Sequence, residues 1–324
     1  MAKVLTDNQN YTNIANAIRA KARTSNSFRP SEMAMAIESL SSSDERLKGL
    51  IKDTLTEFND EENEFEMIRQ YAFRGCTSLT SVSFPACANI DSYAFYSCSS
   101  LISVSFPECT NIGSAAFQSC TSLTSVSFPK CTNINNAAFQ SCTSLTSISF
   151  PVCTSVTGFR GCTSLTSVNF PKCTNIGNYA FSSCTSLTSV NFPVCTNIGS
   201  YAFADCSSLT LVSFPVCTNI GDYAFADCSS LTSVNFPVCT NIGSSAFRKC
   251  YNLISLYLTG SSLCILSNSN AFTSTPIGGY STSAGRYGSI YVPTSLLASY
   301  KTATNWVYFS SRFVGVQSEP PDYL

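Results

Sequence analysis

The sequence contains no histidine, a single tryptophan and four methionines, and only 11% of its 324 residues are charged. Without histidine it lacks the side chain most often recruited as a general base and the commonest nitrogen ligand for zinc. A formal net charge of −1 gives no overall footprint for nucleic acid or for an acidic membrane surface. No run approaches the ~18 apolar residues of a membrane helix. After Met1-Ala2-Lys3 the chain turns polar at once (TDNQNYTN), with no apolar core of the kind a signal peptide needs, so none is expected. What the chain has instead is 44% hydrophobic residues, 18 cysteines, 23 phenylalanines and 15 tyrosines, enough to bury a core.

Charge is unevenly placed. Residues 1–75 hold 22 of the 37 charged residues, and residues 76–250 hold ten. The long middle therefore meets water through Ser, Thr and Asn, which suggests a boundary near residue 75.

The middle is an internal repeat, the feature that most constrains a fold. Cys76, Cys98, Cys120, Cys142, Cys162, Cys184, Cys206, Cys228 and Cys250 are 22 apart except for one step of 20. Cys87, Cys109, Cys131, Cys153, Cys173, Cys195, Cys217 and Cys239 run 11 residues out of phase. The short step is CTSVTGFRGC, which lacks two residues. One unit reads CTSLTSVNFPVCTNIGSYAFADC, Cys184 to Cys206. Its Leu187-x-x-Val190-x-Phe192-x-x-Cys195 has leucine-rich-repeat spacing. The two-residue alternation points Val190 and Phe192 inward and Ser189 and Asn191 outward, and Pro193 ends the strand. The second half is expected to turn at Asn197-Ile198-Gly199. Its Phe returns as Phe73, Phe95, Phe117, Phe139, Phe159, Phe181, Phe203, Phe225 and Phe247, as a core ladder in stacked coils would. Nine strand cores begin at Leu79, Leu101, Leu123, Leu145, Leu165, Leu187, Leu209, Leu231 and Leu253.

The C-x-S-L-x-S-V-x-F-P strand, the N-I-G-x-Y-A-F segment and the Cys before the next Leu resemble the BspA-like leucine-rich repeats over about residues 54–315. The resemblance implies a mostly β solenoid of parallel coils. Residues 270–279 and 289–316 look like that family's end cap, with a last strand at Ser289–Val292, a helix at Leu296–Lys301 and the sole Trp306. Thr54–Phe58 is read as a first capping strand.

Residues 1–42 share nothing with the repeat. YTNIANAIRAKAR and RPSEMAMAIESL read as two short amphipathic helices, too small to stand alone. This segment is similar to a helical N-terminus on phage tail and tail-fibre proteins, which implies attachment to other virion proteins and homo-oligomerisation. The expected organisation is a helical module (1–42), a linker helix and N-terminal cap (43–75), the solenoid (76–258), and a C-terminal cap and tail (259–324).

Chemistry is expected to be absent: no catalytic residue, no metal site and no cofactor. Every Cys has equivalents above and below, so no unique disulfide pairing exists, and buried thiol ladders account for them better. C-x-x-C pairs are missing. Asp222 and Asp227 share a coil without a framing acid–base partner.

The columns that vary are more informative. The residue before Ala-Phe is Tyr71, Tyr93, Ala115, Ala137, Tyr179, Tyr201, Tyr223 or Ser245. A close-packed core does not exchange Tyr for Ala, so this column is placed at the surface. Tyr179, Tyr201 and Tyr223 with Asp205, Asp222 and Asp227 form the candidate ligand-binding strip, suited to a host cell-surface glycan or protein. A ladder in which the tyrosines only stack on one another is the other reading.

These features describe a non-enzymatic phage virion protein of tail, tail-fibre or receptor-binding type, assembled in the host cytoplasm, without nucleic-acid binding or membrane insertion. Two alternatives stand beside it: a bacterial cell-surface adhesin of the BspA-like type, and a structural decoration protein without a host ligand.

Overall fold

The structure is a computed structural model that describes residues 57–59, 66–279 and 286–317. The helical reading for residues 1–42 lies outside the described residues, as does that for 43–58 up to residue 56; the described end of that segment is the strand Glu57–Asn59, where a capping strand was expected at Thr54–Phe58. Within the described residues the chain winds as a stack of coils built from short parallel strands. On one side, three-residue strands such as Ser81–Ser83, Ser103–Ser105, Ser189–Asn191 and Ser233–Asn235 recur once per coil. They form four short sheets; the first starts with Glu57–Asn59, paired to Ser81–Ser83, and the last ends with Ser289–Pro293 and Phe313–Val316. On the second side lies one continuous ten-stranded parallel sheet, from Met67–Ile68 through Asn89–Ile90 and its equivalents to Ile265–Leu266.

That second sheet corrects one expectation. Asn197-Ile198-Gly199 is not a turn, because Asn197 and Ile198 pair in register with Asn175 and Ile176 before and Asn219 and Ile220 after. In most coils a glycine follows and sits close against the coil before, although Asp91 and Asn135 hold the same station elsewhere. A Cβ on Gly221 would meet the Ser200 backbone nitrogen at 2.6 Å, so a side chain there collides with the previous coil. The first strands also begin later than the leucines suggested. Leu187 is fully buried but precedes the strand Ser189–Asn191 by two residues.

The core is two ladders of phenylalanine. Phe73, Phe95, Phe117 and Phe139 stack nearly parallel at 5.0, 5.0 and 5.2 Å, and the series runs on to Phe247 and Phe272. Phe84 through Phe236 form the second ladder, with spacings such as 5.5 Å for Phe128–Phe150. Edge-on contacts tie the two, as at Phe139–Phe150, 6.0 Å. Each buried ring removes about 1.5–3 kcal/mol worth of apolar surface from water, and each ring pair adds about 0.5–1.5 kcal/mol beyond that. No coil obtains this alone, because every ring needs the ring above and below.

All eighteen cysteines are buried thiols in the gaps beside these ladders. In one series the Sγ donates to the Phe carbonyl of the coil before, as Cys206 does to Phe181 O at 3.2 Å. In the other it donates two residues onward, as Cys195 does to Asn197 O at 3.2 Å. A small apolar side chain with a weak donor suits both positions, since it fills the gap and satisfies a carbonyl. Burial pushes the thiols up, Cys153 and Cys195 to about 11 and Cys131 to about 12.

The outside is laced along the stacking axis by small polar groups. Asn197, Asn219 and Asn241 each donate from Nδ2 to the Asn Oδ1 one coil earlier, at 2.7, 2.7 and 2.9 Å. Thr174, Thr196 and Thr218 pass Oγ1 hydrogen bonds to the preceding coil's carbonyl in the same way. These rows explain why the middle of the chain needs so few charges.

At the C-terminal end the last coil is closed as the sequence suggested, with small shifts. The strand is Ser289–Pro293, and the helix Leu297–Thr302 follows a 3-10 turn at Thr294–Leu296. A further 3-10 segment, Trp306–Arg312, was not legible. Trp306 Nε1 donates to Cys264 O at 2.7 Å, and Cys264 N donates to the Tyr300 hydroxyl at 3.0 Å, which satisfies backbone that the final coil leaves without a next neighbour.

Candidate functional site

The third side of each coil is a corner, and it carries the columns singled out from the sequence. Tyr201 N donates to Asp222 O, Phe203 N to Ala224 O and Asp205 N to Ala226 O, at 2.9, 2.7 and 2.8 Å. Every second amide thus points to the next coil. The backbone achieves this by placing two residues per corner in the left-handed region: Tyr201 at φ 58° and Asp205 at φ 61°. The same holds for Tyr71, Tyr93, Ala115, Ala137, Tyr179, Tyr223 and Ser245 in the first column. Ser97, Ser119, Ser141, Ser183, Asp227 and Lys249 follow in the second, with Gly75 and Gly161. An L-residue there costs roughly 1–2 kcal/mol, offset by the inter-coil hydrogen bonds. Sequence reasoning missed this. The second column did carry a partial signal, since Gly75, Gly161, Asp205 and Asp227 stand in it and Gly and Asp are types that tolerate positive φ. The first column, with Tyr, Ala and Ser, carried none.

The corner brings together three of the six candidate residues as a unit. Tyr179, Tyr201 and Tyr223 are stacked face to face at 4.9 and 4.8 Å, with ring planes within 6° and 3° of parallel. Tyr179 is exposed and the other two are half-buried. The Tyr201 hydroxyl is pushed above its usual range, first by desolvation and then by Tyr223, Tyr179 and Asp222 beside it. Asp222 accepts a hydrogen bond from Ser244 N at 2.7 Å, so it also helps fix the next coil. Asp205 and Asp227 occupy the second left-handed column, four residues beyond their tyrosines, and Asp227 pairs with Lys249 at 3.1 Å. That pair is partly exposed and contributes little to stability.

The geometry decides one point about the strip. The inner faces of the three rings are covered by one another, so what the stack offers outward is ring edges and hydroxyls. A second stack, Tyr71–Tyr93 at 5.4 Å, stands nearer the N-terminal end. The expectation that the whole column lies at the surface is corrected in part. Ala115 and Ser245 are buried, at 3% exposure each. A small side chain leaves its position shielded by the coils on either side, and Asn270 of the cap accepts from Ser245 N at 3.1 Å.

Between the two stacks lies a notch of about 580 Å³. It sits where the tyrosine column holds Ala137 and where the shortened coil has no equivalent residue. Among the described residues, no group of three or more metal-ligating side chains is present and no helix is long and apolar enough to cross a membrane.

Parallel coils with leucine, phenylalanine and asparagine at fixed stations define a leucine-rich-repeat solenoid. The sequence matches the model of the BspA type leucine-rich repeat region over residues 52–158 and 155–277, more than half its length, and the chain belongs to that family. No curated protein matches it. Similar solved structures include a leucine-rich repeat protein from Bacteroides ovatus, 19% identical, covering 78% of this chain and 87% of that one with a TM-score of 0.40. A leucine-rich cell surface protein from Faecalibacterium prausnitzii is 22% identical over 78% of this chain and 82% of that one, with a TM-score of 0.37. The pneumococcal vaccine antigen PcpA is 12% identical over 82% and 89%, with a TM-score of 0.41.

Proposed function

We propose that this chain is a non-enzymatic binding protein of a phage virion, of tail, tail-fibre or receptor-binding type, in which the solenoid presents its corner to the surface of a host cell. The observation that carries the binding half is the corner itself: three stacked tyrosines, with ring centroids 4.9 and 4.8 Å apart, present edges and hydroxyls in the coils that also carry Asp205, Asp222 and Asp227. Weak contacts on such a row add through effective concentration, and more so when several copies are held together. The virion half is supported by the sequence of residues 1–42, which resembles the helical N-termini of phage tail proteins. That module attaches or oligomerises the chain, and the described residues form a solenoid with its own core.

The test has two arms. Antibody detection of the chain in density-purified particles and in envelope fractions of the producing cells separates the virion from the bacterial surface. A variant lacking residues 1–42 is compared with the full chain for incorporation, mass in solution and binding to host cells. The expected result is particle association that depends on residues 1–42 and cell binding in the full chain. Detection only in the cell envelope would establish the adhesin reading instead. Particle association without any cell binding would establish a decoration protein.

A further inference from the structure

We propose that the notch at the shortened coil is a saccharide-binding site that selects acidic sugars through Arg160. This deepens the binding reading above by naming a site and a ligand class, and it does not depend on the virion reading.

The notch is a consequence of two missing residues. In a full coil five positions separate the sheet isoleucine from the corner phenylalanine, Ile198 to Phe203; in the shortened coil Val156 and Phe159 are three apart. The inner structure is undisturbed. Val156 keeps its register with Ile134 and Ile176, and Phe159 stacks on Phe139 at 5.1 Å. All the shortening therefore falls on the outer bend, and it removes the left-handed residue that elsewhere carries tyrosine. Gly158 takes the inner position, where a Cβ would meet Ile134 Cγ2 at 2.7 Å. With Ala115 and Ala137 in the two coils before, three successive stations of the tyrosine column have no ring. Tyr93 and Tyr179 are thus four coil steps apart, about 20 Å at ordinary strand spacing.

Arg160 marks one end of this gap. Its guanidinium carbon lies 5.4 Å from the centroid of the Tyr179 ring, on the side of the absent tyrosine. The tyrosine stack therefore ends in a cation, and Arg160 is the charged side chain among those lining the notch. Asn136, Gln140 and Asn178 supply exposed or half-exposed amides around Ala137. The volume of about 580 Å³ falls within the ~300–1,000 Å³ of small-ligand sites.

The chemistry of the lining chooses among ligands. The strand of the shortened coil, Ser155–Val156, is paired on both sides, and behind the notch Phe139 N donates to Gly158 O, Ser141 N to Arg160 O and Gly161 N to Ser182 O, each at 2.8 Å. An extended peptide therefore finds no edge to pair with, and the floor of Ala137 and backbone offers no deep apolar pocket for a side chain. Amides at several heights suit hydroxyls, which both donate and accept. A guanidinium held by an aromatic face presents paired N–H groups to a carboxylate. A short oligosaccharide containing a uronic acid meets both requirements.

The test uses the purified full chain, titrated calorimetrically with two probes: a tetrasaccharide of alternating glucuronate and N-acetylglucosamine, and the neutral tetramer of N-acetylglucosamine. Ala137→Tyr restores the residue found at this station in five other coils, so it fills the notch without a new demand on the backbone. The expected results are binding of the acidic probe and at least tenfold weaker binding by Ala137→Tyr. Arg160→Gln is expected to bind both probes alike, and Lys172→Gln, which removes an exposed charge outside the notch and outside the tyrosine strip, to bind as the unaltered chain does. Equal binding by Ala137→Tyr and the unaltered chain would overturn the site. So would the absence of saccharide binding, or binding of a glutamate-rich peptide in its place. If the saccharide result fails while the chain still binds host cells, only the notch is refuted; if the notch binds and cells do not, only the host-surface reading is.

Discussion

Tyr201 sits in the middle of a three-ring stack and on a backbone that L-residues avoid, and these two facts pull its substitutions in opposite directions. Tyr201→Ala removes two ring contacts, at 4.9 and 4.8 Å, while keeping the strained φ of 58°. At about 0.5–1.5 kcal/mol per contact, the loss is roughly 1–3 kcal/mol. Tyr201→Gly loses the same contacts but relieves roughly 1–2 kcal/mol of left-handed strain. Against that relief stands about 0.5–1 kcal/mol for the greater freedom of glycine in the unfolded chain. Glycine is therefore expected to be the milder change, by about 0.5–1 kcal/mol, although it removes more atoms. Urea unfolding followed by circular dichroism gives the global ranking. Because a repeat array opens locally, hydrogen exchange at the Phe203 and Asp205 amides, which bond to the next coil at 2.7 and 2.8 Å, gives the local one. If Tyr201→Gly is less stable than Tyr201→Ala by both measures, the corner strain does not contribute as argued. If neither variant differs from the unaltered chain, the stack holds nothing together.

Two further outcomes follow from the same architecture. Gly221→Ala places a Cβ 2.6 Å from the Ser200 nitrogen, and is expected to cost about 1–3 kcal/mol in urea unfolding. Gly221→Asn should cost less, since Asn135 at the equivalent station donates from Nδ2 to Ile112 O at 2.9 Å and accommodates its Cβ with a longer backbone bond of 3.2 Å. For the thiols, the folded values are raised from an ordinary value of 9.0 to about 11 in Cys153 and Cys195 and about 12 in Cys173. Below pH 9 both folded and unfolded thiols are protonated and this stability is fully present. Between pH 9 and about 11 the unfolded chain alone ionises, so stability falls steeply as the thiols act together. Urea midpoints in reductant should be level from pH 7 to 8.5 and drop beyond 9; a level profile to pH 11 would contradict burial of the thiol ladders.

Much of this fold was legible in the residues. The 22-residue spacing of cysteine, leucine and phenylalanine dictates stacked coils, because residues that recur at one station must meet their own copies above and below. The alternation around Val190 and Phe192 identified the strand and its inner face, and the resemblance of residues 270–279 and 289–316 to the family's end cap implied how the stack closes. Asn197–Ile198 was misread because Asn, Ile and Gly together carry turn chemistry, whereas the glycine serves close approach of one coil to another. Only packing of two coils, and no local preference, shows that need.

The amino-acid sequence by itself determined that the chain is a solenoid, that its thiols lie in rows, and that a tyrosine column varies in size. Its variation in size also placed that column at the surface; the tertiary structure alone decided that its backbone is left-handed and that its small members Ala115 and Ser245 are buried. Two left-handed residues per corner aim alternate amides at the next coil, and the price of that conformation is visible only once the coils are stacked. The same holds for the notch. Two absent residues are a gap in an alignment of repeats, but they become a site only because the sheet and the phenylalanine ladder hold their register. That rigidity forces the whole deficit onto the outer bend, beside Arg160 and Tyr179.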